Sequence, residues 1–200
     1  MILVLNLLEL AYRSSVDKMS VCQYLLVMLV ILLIKQSFSK GRPTKRPFFM
    51  PKIYQIERHV MGLLTSADCL KKYGAPDLER NMILWDVPAI LEIGVIPKRI
   101  YCNKDMIGPL SKAFANLIKT NYVTELLTWD GCFNIRTKRG AVTKSLHSWG
   151  VAIDVNAAWN PMGKAPTLSA GFVKCFTDAG FTWGGTWSKP DGMHFQLKTI

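Results

Sequence analysis

Histidine is scarce in this chain, with three among 200 residues. Cysteine is little commoner: Cys22, Cys69, Cys102, Cys132 and Cys175 make five. The odd count and the lack of any Cys-x-x-Cys pair argue against both a disulfide framework and a thiolate zinc site. Free thiols in a protein made in the cytoplasm are the expectation. No internal repeat is visible. The longest unbroken apolar run, Leu25–Ile34, falls short of the roughly 20 residues that a spanning helix wants. Acidic residues are outnumbered, and the formal net charge is +11. In Met1–Phe49, seven Lys/Arg against two Asp/Glu give +5, which leaves +6 for Met50–Ile200. The surplus is therefore shared, with no single basic stripe of the kind nucleic-acid binders carry, and no nucleic-acid partner is expected. A positive body suits an anionic polymer through long-range steering, although ordinary solubility charge accounts for it equally well.

The length suits one domain plus an extension, and half the residues are hydrophobic, ample for a core. Residues 1–49 differ in character from the rest. Val21–Ile34 is apolar apart from Gln23, and Lys35, Lys40, Arg42, Lys45 and Arg46 follow it. No small-x-small cleavage site follows the segment. The positive-inside rule would keep its C-terminal side in the cytoplasm. Two readings stay open: a membrane anchor through residues 21–34, or an upstream extension with the functional chain starting at Met50. The second is expected. In either case Ser37–Pro47 has the composition of a disordered linker.

From Met50 the pattern is that of a globular domain, 50–200. Thr65–Gly74 predicts a short helix, capped at Thr65 or Ser66 and stopped by Gly74. Met82–Ile100, broken by Pro88 and Pro97, predicts short extended pieces. Gly108–Tyr122 predicts the clearest helix, with Leu110, Phe114, Leu117 and Ile118 as its core stripe and Pro109 near its first turn. Val123–Thr128 predicts a strand. Ser169–Ala179 predicts a helix with Phe172, Val173 and Phe176 inward and Gly180 as its C-cap.

Two short stretches near the C-terminus carry the chemistry. After Gly150, Val151, Ile153 and Val155 share one face of an expected strand, and Ala152, Asp154 and Asn156 the other. In Asp191–Leu197, Met193, Phe195 and Leu197 alternate with His194 and Gln196. Two such strands side by side would bring His147, Asp154 and His194 to one point on the polar face. Two imidazoles and a carboxylate form a normal ligand set for Zn²⁺, leaving a fourth position for water. Asp191 stands three residues before His194, close to the metal but free of it, where a general base would be useful. His59 lies far from both stretches and reads as a surface residue.

Ser145-x-His147-x-x-Gly150-x-Ala152-x-Asp154, followed by Asp191-x-x-His194, resembles the zinc peptidases that cut peptidoglycan stem peptides. That family includes D-alanyl-D-alanine carboxypeptidases and phage L-alanyl-D-glutamate endolysins, and shares a metal-centred fold with lysostaphin-type enzymes and the hedgehog signalling domain. The likeness runs loosely from Leu63 and is specific over Trp129–Leu197. It implies an α+β fold, with a small antiparallel sheet carrying the zinc site and helices flanking it. It implies a peptidoglycan peptide as substrate, a monomeric enzyme made in the cytoplasm (the host's, if of phage origin), and action on the cell wall. In related carboxypeptidases the general base is usually Glu; several phage endolysins place Asp there, as Asp191 stands here. The resemblance also implies an arginine upstream of the first His to meet the developing oxyanion, and Arg136, in its Asn-x-Arg context, fits better than Arg139. Ser145 matches the serine that opens the signature, where it seats the substrate or the turn. Trp149, Trp183 and Trp187 are candidates for the groove wall, though large aromatics are more often core. Two other classes stay in view: a zinc-stabilised wall-binding or structural protein without turnover, and a membrane-anchored protein whose N-terminus matters most.

Overall fold

The computed structural model describes residues 63–200 and, upstream of them, Leu29 alone. The expectations for residues 1–49, for Met50 as a starting point and for His59 lie outside the described residues. Leu64–Ile200 forms one compact unit. No described helix is long and apolar enough to cross a membrane.

Helix α1, Ser66–Tyr73, starts as its sequence dictates. The Thr65 hydroxyl accepts from the Asp68 N–H while the Asp68 carboxylate accepts from the Thr65 N–H, a reciprocal capping box. Gly74 closes the helix with φ +81°. Strands β1 (Met82–Asp86) and β2 (Arg99–Asn103) pair antiparallel, Met82 opposite Asn103 and Asp86 opposite Arg99. Helix α2, Ile107–Thr120, buries Leu110, Ala113, Phe114 and Leu117, and Asn121 in the left-handed region ends it. Ile118, assigned to its stripe from spacing, is instead 41 % exposed at the edge of the buried face.

The strand expected at Val123–Thr128 does not form. Tyr122–Glu125 is a 3₁₀ turn, and the backbone beyond it is satisfied by one side chain. Asn156 Oδ1 accepts from the N–H groups of Leu127 and Thr128, and its Nδ2 donates to the Glu125 carbonyl. A segment whose polar groups are met in this way needs no strand neighbour. Strand β3 follows at Trp129–Gly131, β4 at Ala152–Val155, β5 at Phe181–Trp183 and β6 at His194–Leu197. They form a four-stranded antiparallel sheet in the order β3-β4-β6-β5. Between β4 and β5, helix α3 (Ala170–Thr177) is capped by Ser169 and buries Phe172, Cys175 and Phe176, while Val173 is only partly buried. Its C-cap is Asp178, not Gly180, which lies beyond in a turn at φ +102°.

The fold is thus the expected α+β, with the polar site on the sheet. Beneath the sheet, Phe195 of β6 packs on Phe176 (4.4 Å between centroids) and Phe172 (6.5 Å), which ties α3 to the middle of the sheet. Ile153, Val155 and Phe195 are wholly buried. Burial of side chains of this size contributes about 1.5–3 kcal/mol each. One face of the two central strands is thereby fixed in the core, and their other face must present what alternates with it.

Candidate active site

Strands β4 and β6 are the two inner strands, and their register sets Asp154 directly opposite His194. His147 arrives by another route. It sits in a 3₁₀ turn, Leu146–Trp149, that ends at Gly150 with φ +61°. A β-carbon on Gly150 would stand 2.8 Å from the Asn103 backbone nitrogen. Glycine is therefore required there both for its dihedral and for the close approach of β2. The chain reverses at that point and feeds straight into β4, so His147 is delivered over the face that bears Asp154.

The three polar atoms converge. Asp154 Oδ1 lies 3.0 Å from His194 Nδ1 and 3.3 Å from His147 Nε2, and the two ring nitrogens are 3.1 Å apart. Each of the three residues offers a ligand atom within 4.8 Å of the others. Burial alone would raise the Asp154 carboxyl, but hydrogen bonds from His147 and His194, with their charge, outweigh it and hold the group well below the usual carboxylate range. It is an anion set between two imidazole nitrogens. The remaining nitrogen of each ring is occupied from behind: His147 Nδ1 lies 2.9 Å from the Cys132 carbonyl, and His194 Nε2 3.4 Å from Gln196 Oε1.

Asp191 is set beside this cluster by a knotted turn. Its N–H donates to the Gly184 carbonyl, and its own carbonyl accepts from the His194 N–H. The Met193 N–H donates to the Asn160 carbonyl, and the Trp183 indole donates to Gly192 at 2.8 Å. Oδ1 of Asp191 is buried and has no hydrogen-bond partner among the described residues. Burial pushes its carboxyl above the ordinary value; the charge of His194 opposes this, that of Asp154 adds to it, and His147 and Arg139 draw it down. An orphaned carboxylate oxygen is costly. Its position beside three converging ligand atoms is what a site built for a cation and a proton acceptor requires.

The other sequence candidates fall around this centre unevenly. Arg136 is half-buried and held by its backbone: its N–H donates to the Ser148 hydroxyl at 3.1 Å, and its carbonyl accepts from the Ser145 N–H at 2.9 Å. Between it and the first histidine, Thr137 and Lys144 pair as the base of a basic loop that carries Arg139. Ser145 is buried and leads the turn into His147. Trp149 departs from the reading as a groove wall. It is 5 % exposed, and its indole donates to the Gly74 carbonyl at 2.8 Å, which pins the turn that bears His147 to the end of α1. Trp183 stacks on Phe195. Trp187 is the tryptophan at the cluster, its ring centroid 5.4 Å from that of His194. Gln196 and the Cys132 carbonyl were not singled out from sequence. For Gln196 a signal existed, since it lies two residues beyond His194 on the same strand face; a backbone carbonyl leaves none.

Neither among curated proteins nor among solved structures does any match the chain. Residues 139–197 match a family model described as D-alanyl-D-alanine carboxypeptidase. The matched segment holds His147, Asp154, Asp191 and His194 together. The resemblance read from the motif is borne out by this match: over residues 139–197 the chain is similar to the D-alanyl-D-alanine carboxypeptidase family.

Proposed function

We propose that this protein is a zinc-dependent peptidase that hydrolyses the stem peptides of peptidoglycan, as a D-Ala-D-Ala carboxypeptidase or an L-Ala-D-Glu endopeptidase of the phage endolysin type. The observation that carries the reading is Asp191, a carboxylate with one buried oxygen that has no hydrogen-bond partner among the described residues, beside a His-Asp-His set. A purely structural metal site has no use for a spare carboxylate at an open position, which weighs against a zinc-stabilised wall-binding protein.

The donor set fits zinc: two neutral imidazole nitrogens and one carboxylate oxygen, from His147, His194 and Asp154. When bound, zinc supplies a Lewis acid that brings the pKa of a water toward about 7 and polarises a carbonyl. The chain's own residues do the rest. Asp154, kept ionised, balances the cation's charge. Asp191 takes the proton from the attacking water as the new C–O bond forms, then passes it to the amine as the peptide C–N bond breaks. Arg136 meets the negative charge that develops on the carbonyl oxygen. Trp187 flanks His194 and restricts water around the reacting groups.

Incubating the protein with purified cell wall and identifying new termini by mass spectrometry tests the reading. New D-Ala carboxyl termini or new D-Glu amino termini are expected. Asp191→Asn should retain its metal and its melting point while hydrolysis falls by about 10²–10⁴, the usual range for lost acid–base catalysis. Loss of zinc in that variant, together with an inactive wild type, would overturn it.

A further inference from the structure

We infer that Gln196 is a positioning residue for the metal, acting through His194, an inference that rests on the zinc site proposed above. Gln196 is 1 % exposed, and buried glutamine amides are retained where both ends of the amide are used. Its Nε2 donates to the Leu64 carbonyl at 3.3 Å. That bond fixes which end of the amide faces which way, because only the NH₂ end can donate to a carbonyl. The oxygen end is left toward His194 Nε2, 3.4 Å away. A carbonyl oxygen in that place accepts an N–H, so when the proposed zinc is bound and Nδ1 gives up its hydrogen bond to Asp154, the His194 proton belongs on Nε2. The Nδ1 lone pair then faces Asp154 Oδ1 and His147 Nε2, 3.0 and 3.1 Å away.

The arrangement matters because Asp154 competes for the same proton. Its carboxylate, facing Nδ1, would draw the proton to that nitrogen and block it as a ligand. Gln196 biases the ring the other way. His147 faces the same competition and is answered by the Cys132 carbonyl at its Nδ1, a group that no substitution removes. Gln196 is therefore the point at which this second layer of the site can be altered. The strand register holds it there: Gln196 is paired with Ala152 on one side and Thr182 on the other, so its Cα cannot drift relative to the ligands.

The test uses the full chain and zinc alone, with binding read by competition against a chromophoric chelator and stability read by thermal melting. Gln196→Met keeps the size and removes the acceptor; zinc should bind about 10–100-fold more weakly, the usual cost of losing such a partner. Gln196→Glu keeps an acceptor toward His194 but turns a carboxylate oxygen on the Leu64 carbonyl. It should melt below wild type yet bind zinc at least as tightly. This opposite movement of affinity and stability is not produced by a packing role. In zinc-loaded wild type, the His194 Nε2–H should appear in proton NMR as a low-field, slowly exchanging resonance. The inference alone is overturned if wild type binds zinc and Gln196→Met matches it within about twofold, or if Gln196→Glu loses affinity along with Gln196→Met. Should Gln196→Met fail to fold, Gln196→Glu and the wild-type resonance still decide, and a fast-exchanging Nε2–H overturns the inference. A wild type that holds no zinc rejects the proposed function and this inference together.

Discussion

At the scale of single residues, two carboxylates that feel the charge of the same imidazoles are driven in opposite directions. Asp154 accepts from both histidines and is held down; Asp191 is pushed up by burial beside an anion already in place. Divergence of this kind separates a ligand from a proton acceptor. In the proposed reaction the developing oxyanion is a third, transient charge, and Arg136→Ala should lower turnover by about 10²–10³ while zinc content stays unchanged, since the arginine is proposed to meet charge that appears only in the transition state. Near-normal turnover in steady-state assays would move the role to Arg139, whose charge already reaches Asp191. Asp154 and His194 were legible in the sequence because strand alternation puts side chains on faces with a period of two, and rare residues in phase stand out; His147, in the turn that feeds β4, was found by its nearness in sequence. Trp149 was not legible as a core residue, because its partner is the Gly74 carbonyl at 75 positions' remove, and local spacing says nothing about such a contact.

At the scale of elements, helices that carry their own caps were read well and irregular backbone was not. The limits of α1 follow from Thr65, Asp68 and Gly74, all adjacent in sequence. The false strand at 123–128 has the apolar content of a strand, but Asn156, far along the chain, takes up its polar groups. Asn156→Ala leaves two donors and one acceptor unmet in a partly buried place. It should lower unfolding stability by about 1–3 kcal/mol, read as a fall in the urea midpoint with the slope unchanged. Gly184 answers to a different constraint. A β-carbon there would stand 2.6 Å from the Asp191 carbonyl oxygen, so Gly184→Ala must push the Asp191 turn away from the cluster. Hydrolysis should fall by tenfold or more at unchanged zinc content, because small misplacements of a catalytic group are costly; an unchanged rate would show that the turn yields without moving Asp191.

At the scale of the whole molecule, the described cysteines serve the core and not the chemistry. Cys69, Cys102, Cys132 and Cys175 are all buried and unbridged. Burial pushes the Cys69 and Cys102 thiols up to about 12, and Cys132 well above its ordinary value. Since the thiolate is the reactive form, these three should resist a thiol reagent in the native protein and react promptly in denaturant, as read by peptide mapping. Acid should act through Asp105 as well as through the cluster. Partial burial would raise its carboxyl, but Lys72 and Tyr73, each at 2.8 Å, outweigh that and hold it below the ordinary value. A carboxylate depressed on folding contributes stability that is present above its unfolded pKa of about 4 and is lost as pH falls through the lower folded value. Asp105→Asn should therefore flatten the acid limb of a melting-point profile below about pH 4 and lower the melting point above it.

The pairing of Asp154 with His194 joins positions 40 apart, and this would tie the proposed zinc ion to the entropy of the unfolded chain. Until the helix α3 segment between them has closed into a loop, the two donors are strangers in solution, and neither alone holds zinc well. For the proposed zinc, loading the site and completing the fold would form a single equilibrium, with the ion behaving as a reversible cross-link across that loop. Each tenfold rise in free zinc above the dissociation constant should add about 1.4 kcal/mol to the folded state. A chelator in the same solution should remove that gain, unfastening the sheet between its two middle strands.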